Sequence, residues 1–455
     1  MIKELHLHQI GPVADLEAEF GPRLNLVTGD NGLGKTFLLD ACWYALTRTW
    51  ADAKPFYPFP TVPKKDPPSI KYTIIGKTGK NAENQADYRF SDQTWKGQQA
   101  RPPMPGLVIY ARIDGGFSVW DPARNYWRDG GEGPQRPSAY QFSKKEVWEG
   151  LEEEAEGQKT SICNGLLRDV ETWRLKGNGA FQLLQKVLET LSSGEEETLR
   201  IGEGVRVRLD DAKDIPTLTM PYGAVPVTQA AAGMRRVLAL AYLLVWAWEE
   251  HRRVSQLKKE PPTNRIVLLF DEVEAHLHPK WQRVFLPSLM EVVKSLLLKG
   301  SPLSTAHVPD DPNPDEAKAL LLKARPQSVQ IIATTHAPMV LASIESVWSM
   351  EDDRLFDFNL VEGNHVEFGA VDFARHGSVA NWLTSGSFDL QSSYAVTAEA
   401  AMKRADAFMR EYPQADRAPR KEAEEIHNQL VRALGGDDEY WPYWLPYYQA
   451  ARKVA

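Results

Sequence analysis

Eight consecutive residues, Gly29-Asp30-Asn31-Gly32-Leu33-Gly34-Lys35-Thr36, have the spacing G-x-x-x-x-G-K-[ST]. A glycine-rich turn lets successive backbone N–H groups converge on phosphate oxygens, and a helix starting there adds partial positive charge. Lys35 could then reach the β- and γ-phosphates of a nucleotide, and the Thr36 hydroxyl could hold Mg²⁺. Asp30, Asn31, Gly32, Leu33, Gly34, Lys35, Thr36 and Phe37 are therefore the expected nucleotide contacts. Further along, the apolar run Ile266–Phe270 is followed by Asp271-Glu272. Asp271 is the expected partner of Thr36 in holding Mg²⁺, and Glu272 the expected base that orients and deprotonates water. His336 follows a third apolar run, Val329–Ala333, where it could sense a γ-phosphate. Each feature also has a plainer reading: a chance glycine-rich turn, a strand that merely ends in acids, a structural histidine.

These residues need elements to hold them. Leu24-Asn25-Leu26-Val27 reads as a buried strand before the glycine-rich turn, and Phe37–Trp50 has helical apolar spacing after it. Ile266–Phe270 and Val329–Ala333 are continuous apolar runs, as strands buried on both faces of a parallel sheet must be. Ile2–Ile10 and Leu16–Phe20 alternate as strands. The stretches at 71–75, 87–90, 107–112 and 117–120 look like antiparallel sheet laid beside this core. From Ser143 the period turns helical, clearest over Glu146–Glu156 and Phe181–Leu191. Glu152, Glu153, Glu154 and Glu156 there read as a solvated face rather than a metal cluster. Long helices are expected over Gln229–His251 and Pro279–Leu298, and again near 398–411 and 420–434. Gly300–Ser328 reads as an irregular insertion with a short helix at 316–323. The expected divisions are 1–142, 143–228 (a helical lobe), 229–350, and a C-terminal α-rich region over 351–455.

Composition narrows the function classes. A chain of 455 residues with 43% hydrophobic and 25% charged residues is globular and holds more than one packed unit. A net charge of −8 argues against coating nucleic acid by bulk charge. Cys42 and Cys163 are the only cysteines, too few for a disulfide framework or zinc cluster, so a reduced, cytoplasmic setting is expected. The longest uncharged apolar run, Val237–Trp248, is short of a bilayer span, and no membrane partner is expected.

Taken together the motifs resemble those of ABC-type P-loop ATPases of the SMC, RecF and OLD-like class. Ile10-Gly11-Pro12 through Thr36 is similar to the opening of that class. Leu268–Pro279 resembles its Walker B motif running into the D-loop, and Ala333-Thr334-Thr335-His336-Ala337-Pro338 its switch-histidine motif. The resemblance implies an α/β fold: a mixed sheet flanked by helices, with an antiparallel β subdomain, a helical lobe and a small α-rich end. It implies ATP and Mg²⁺ as cofactors, and a head-to-tail homodimer or higher oligomer in which the signature helix of one copy caps ATP held by the other. The matching signature positions are Ala231-Ala232-Gly233, with Arg235 and Arg236 beyond. Gly233 can still offer a backbone N–H, and Gly233 and Arg236 are counted among the nucleotide-binding residues. Ala231 lacks the usual serine hydroxyl, a hydrogen bond worth about 1.5–3 kcal/mol to a charged group. A glutamine coupling the two lobes is expected at Gln135 or Gln141. His276 and His278 with Glu274 admit a metal-site reading, but the D-loop resemblance already explains them.

The partner is less constrained. A Toprim nuclease needs several separated carboxylates, whereas Glu351-Asp352-Asp353 is contiguous; long heptad coils are absent. What remains resembles the compact ATPase subunits of bacterial antiphage defence systems such as Septu, where a nuclease or other effector is a separate chain. The tail, with 377–383 and 437–444, is similar to theirs. The alternative is a DNA repair or replication ATPase of the RecF or SMC sort that binds DNA directly. A transporter-type nucleotide-binding subunit ranks last, because the segment between the P-loop and signature is long for one. The aromatic end, Tyr440–Tyr448, is either an exposed docking patch or a tail folded onto the protein itself.

Overall fold

The computed structural model describes the chain apart from residues 59–65, 77–78, 98–103, 126–138, 156, 178, 195–197, 300–327, 362–364, 389, 391 and 454–455. The insertion expected at 300–328, with its helix, and Gln135 therefore lie outside the described residues.

Strands β1 (Ile2–His8), β2 (Asp15–Glu19) and β3 (Leu24–Gly29) lead into helix α1 (Lys35–Thr47). Strands β4 (Ser69–Ile75), β5 (Asn81–Arg89) and β6 (Thr94–Gly97) follow, then β7 (Leu107–Ala111), β8 (Phe117–Trp120) and β9 (Tyr140–Phe142). Next come α2 (Lys144–Glu149), the hairpin β10 (Leu151–Ala155) and β11 (Gln158–Cys163), then α3 (Leu166–Lys176) and α4 (Gly179–Leu191). A three-stranded sheet of β12 (Ile201–Arg206), β13 (Asp214–Met220) and β14 (Gly223–Pro226) precedes the long α5 (Ala232–Leu257). The first unit closes with β15 (Arg265–Phe270), α6 (Pro279–Gln282), α7 (Phe285–Lys299), β16 (Ser328–Thr334), α8 (Pro338–Ile344), β17 (Arg354–Val361) and β18 (His365–Val371).

Two sheets sandwich α1. The antiparallel one runs β2-β1-β4-β5-β6; the larger, mixed one runs β18-β17-β3-β16-β15-β7-β8-β9. Within the larger sheet β17, β3, β16, β15 and β7 are parallel neighbours. Their apolar runs are buried on both faces, because α1 covers one side while α5 and α7 pack on the other. Leu38, Leu39 and Trp43 of α1 are wholly buried in a cluster with Val27, Leu269, Ile332 and Phe356 of the mixed sheet and Ile70 of the antiparallel one. This α1-filled layer is what fixes the loop at its N-terminus.

The expected α/β architecture is present, with differences of detail that have local causes. The strand ending in Asp271 is not adjacent to β3; β16 lies between them. The helix expected over Glu146–Glu156 is cut short. Ser143 and Glu146 form a reciprocal capping box, but Gly150 sits at φ 111, where a Cβ would lie 2.8 Å from the Cys163 carbonyl oxygen. Glu152, Glu153 and Glu154 accordingly lie on strand β10, and the helical lobe contains two small sheets beside its helices. Beyond 351, β17 and β18 complete the mixed sheet, so the first compact unit runs to Gly377 rather than ending at 350. Buried Asp353 anchors β17 by accepting from Arg23 Nε at 2.8 Å and from the Leu24 backbone N–H at 3.1 Å.

The second unit, Ser378–Ala455, has helices α9 (Val379–Leu383), α10 (Val396–Glu411), α11 (Arg420–Ala433) and α12 (Trp441–Lys453). The aromatic end forms most of its core: Trp444 is wholly buried and Trp441 and Tyr448 nearly so. Tyr448 stacks on His427 at 3.9 Å between ring centroids. Tyr443 remains exposed. The tail is thus largely folded into its own unit. No helix is placed there from the sequence alone; Pro442 falls in the first turn, where no intrahelical N–H is needed, and Pro446 lies inside the helix.

Candidate active site

The glycines of the P-loop are demanded by space as well as conformation. Gly29 and Gly34 take φ 120 and 113; a Cβ on the first would lie 2.3 Å from the Phe358 carbonyl oxygen, and on the second 2.5 Å from Pro12 Cγ. The loop therefore folds tightly between β17 and the turn after β1. Gly32, at φ 81, faces open space, leaving the backbone accessible to a ligand. Lys35 is buried, and its Nζ donates to the carbonyls of Gly29 and Asp30 at 2.7 and 2.6 Å. Burial holds this amine below its ordinary range, against the pull of Glu272, Asp30, Asp271 and Glu274. A strongly acidic surround for one amine is a place where phosphates would need a metal to neutralise charge.

Asp271 is the centre of the site. It has no solvent exposure, and its two oxygens receive Thr36 Oγ1 at 2.8 Å and Thr334 Oγ1 at 2.7 Å. Among the described residues no cation forms an ion pair with it. A buried carboxylate hydrogen-bonded only by neutral hydroxyls, with the charges of Lys35 and Arg236 acting from further off, is incompletely matched, and such a carboxylate beside a threonine hydroxyl fits a divalent ion. Thr334 also accepts from the Glu272 backbone N–H at 2.8 Å, so one hydroxyl sets both acidic residues. Glu272 takes a left-handed φ of 48, unusual for a non-glycine residue, with its carbonyl held by Arg236 at 3.0 Å and that of Asp271 at 2.8 Å. Its side chain approaches His336 Nε2 at 3.4 Å. The backbone N–H of His336 donates to Glu274 Oε1, while Glu274 Oε2 is buried with no hydrogen-bond partner.

Lys35, Thr36, Asp271, Glu272 and His336 thus converge, carried by the ends of three neighbouring parallel strands. A family model described as an AAA domain matches residues 4–164, and one described as an AAA ATPase domain matches residues 222–341. The chain is a P-loop ATPase of the AAA class. The two matched segments contain the P-loop and the acidic strand with His336, which the fold brings together around β16. The ATPase is also similar to solved structures. An SMC head domain from Thermotoga maritima is 12% identical, over 82% of this chain and 99% of that one, with a TM-score of 0.37. RecF, a recombination mediator protein, solved with ATP, is 11% identical over 82% and 97%, with a TM-score of 0.32. At these values any functional reading rests on the side chains and not on the likeness.

The remaining expected residues are placed as follows. Ala231 and Ala232 are exposed at the start of α5. Gly233 presses on the D-loop, where a Cβ would lie 2.5 Å from the His276 carbonyl oxygen. Arg236 serves the backbone of Asp271 and Glu272. Gln141, on β9, accepts from the Asp52 backbone N–H at 3.0 Å and from Ser118 Oγ at 2.5 Å, tying β9 to the segment after α1. His278 Nδ1 accepts from the Lys280 N–H as the cap of α6, and among the described residues no group of three or more His, Cys, Asp or Glu is placed to hold a metal. Nor is any helix among them long and apolar enough to cross a membrane.

Sequence reasoning gave no role to Thr334 or Asp40, and weighed Glu274 only as a metal ligand with His276 and His278. Asp40 lies one turn beyond Thr36 on α1, and that spacing was the available signal. Burial pushes its carboxyl up to about 7, with Asp271 adding to the rise and the Tyr110 hydroxyl and Arg112 opposing it. The folded chain therefore holds a proton that the unfolded chain releases near pH ~4. Stability contributed by Asp40 falls as pH rises between those two values and is flat above about 7. Asp40→Asn should remove this slope. Melting of the nucleotide-free protein should show its advantage over the parent growing from pH 5 to pH 8; parallel curves would rule the titration out.

Proposed function

We propose that this ATPase binds ATP with Mg²⁺ and hydrolyses it within a head-to-tail pair of copies, and that closing and opening the pair controls a separately encoded effector, a nuclease, in antiphage defence. The observation that carries the hydrolytic part is the buried Asp271 carboxylate shared between Thr36 and Thr334, with Glu272 fixed by the same threonine. The P-loop N–H groups and Lys35 bind the phosphates. Thr36 and Asp271 hold the metal, which supplies charge neutralisation of the phosphates. Glu272 orients an attacking water and takes its proton, while His336, beside it at 3.4 Å, positions the γ-phosphate.

Pairing is supported by the exposed start of α5. The Gly233 N–H at that helix end suits a phosphate of a second copy. The missing hydroxyl at Ala231 removes one side-chain contact, so turnover is expected to be slow. The effector is supported by the resemblance of the stretches 377–383 and 437–444 to those of defence ATPase subunits. Glu272→Gln, mixed with ATP, should shift from one copy to two by light scattering and retain the effector on purification, detected as nuclease activity in the eluate. A single copy with ATP bound would dismiss the pair. Retention of DNA alone, lost at raised salt, would favour the repair alternative.

A further inference from the structure

Beside the acidic strand lies a second concavity. A cavity of about 140 Å³ opens between the β7–β8 turn, α2 and the first turns of α5, with room for several waters or one tetrahedral oxyanion. Four cationic side chains line it, Arg112, Lys144, Arg235 and Arg236, against one carboxylate, Asp114. Phe117, Trp148 and Phe270 give it apolar walls.

The cations differ in how they are satisfied. Buried Arg112 is matched: it lies 3.6 Å from Asp52 and 3.5 Å from Asp114, and donates to Ser118 Oγ and the Phe142 carbonyl. Gly116 makes room for it, since a Cβ there would lie 2.3 Å from Arg112 Nη2. Among the described residues the other three form no ion pair. Arg236 donates only to backbone carbonyls, of Asp271, Glu272 and Ile113, over the ring of Phe270, while the carboxylates of Asp271, Glu272, Glu274 and Asp114 act on its charge from beyond ion-pair distance. Arg235 Nε is buried with no hydrogen-bond partner. Lys144 lays its methylenes along the turn, where a Cβ on Gly115 would come 3.3 Å from Lys144 Cδ. In a chain of net charge −8 this is a local excess of cations around a partly enclosed space, which an anion would relieve.

We propose that this cavity binds a phosphate-sized oxyanion, and that its occupancy is felt at Glu272 through Arg236. The anion is held by Lys144 and Arg235 and draws the Arg236 guanidinium away from the two carbonyls that fix the Asp271–Glu272 backbone. Inorganic phosphate, the ion released by the proposed reaction, is the fitting size. The effect on turnover rests on the role given above to Glu272; the binding does not.

The test separates the two. Lys35→Ala disables the P-loop as a phosphate site, and equilibrium dialysis of that full-length variant with radiolabelled inorganic phosphate should show one equivalent bound. Adding Lys144→Ala and Arg235→Ala should lower this affinity at least tenfold while the melting temperature stays put. No binding, or equal binding with and without the two substitutions, overturns the site. With Lys35 intact, phosphate should lower kcat for ATP without changing KM, and Lys144→Ala/Arg235→Ala should abolish that inhibition. Phosphate bound with kcat unaffected would overturn the link through Arg236, whereas a chain that never hydrolyses ATP would refute the proposed function and leave the dialysis result standing.

Discussion

Lys35→Ala is expected to lower ATP affinity on the order of 10²- to 10⁴-fold. A hydrogen bond to a charged group contributes about 1.5–3 kcal/mol. Lys35 would make two, one to each of the outer phosphates, and each 1.4 kcal/mol is about tenfold in affinity. In the structure its Nζ rests on the Gly29 and Asp30 carbonyls, so the amine is already aimed at the loop interior. The same two carbonyls lose a donor in the variant. Melting of the nucleotide-free protein is therefore the control that separates lost binding from a loosened loop. Calorimetric titration that returned the parent's affinity would remove the P-loop assignment.

Glu272→Gln should bind ATP as tightly as the parent and turn it over about 10²- to 10⁴-fold more slowly, the usual contribution of a positioned base. The amide keeps the shape of the carboxylate, and the contacts that hold residue 272 are backbone ones: its N–H to Thr334 and its carbonyl to Arg236. Neither depends on the side chain, so a fall in kcat could not be laid to a displaced loop. Single-turnover measurement with saturating protein isolates the chemical step. A variant that matched the parent would pass the role of base to another group, and Glu274, with one buried oxygen unpartnered, would be the first to examine.

The parts of this molecule that could be read from the amino-acid order are those where chemistry is local. The P-loop needs glycines and a lysine at fixed offsets because backbone geometry dictates them. Asp271-Glu272 and His336 announce themselves by ending apolar runs. What escaped depends on neighbours far away in sequence. The value of Thr334 lies in reaching Asp271 and the Glu272 N–H together, across more than sixty residues, and no spacing encodes that. Asp40 matters because folding buries its carboxyl, with Asp271 adding to the rise that the Tyr110 hydroxyl opposes. The glutamates of β10 were misread as helical because a capping box truly starts a helix at Ser143, which ends at Gly150 with φ 111, a conformation no helix continues through. The strands β17 and β18 lie after a stretch that looked like the end of the core, yet Asp353 pins the first of them beside the P-loop strand.

The contact between Gly233 and the His276 carbonyl has one more implication. With no gap for even a methyl group, this helix end cannot move toward the His276 carbonyl without displacing it, and in the proposed pair the same end would face the other copy's nucleotide. Paired copies would then fire in lockstep, two triphosphates consumed per cycle rather than one at a time.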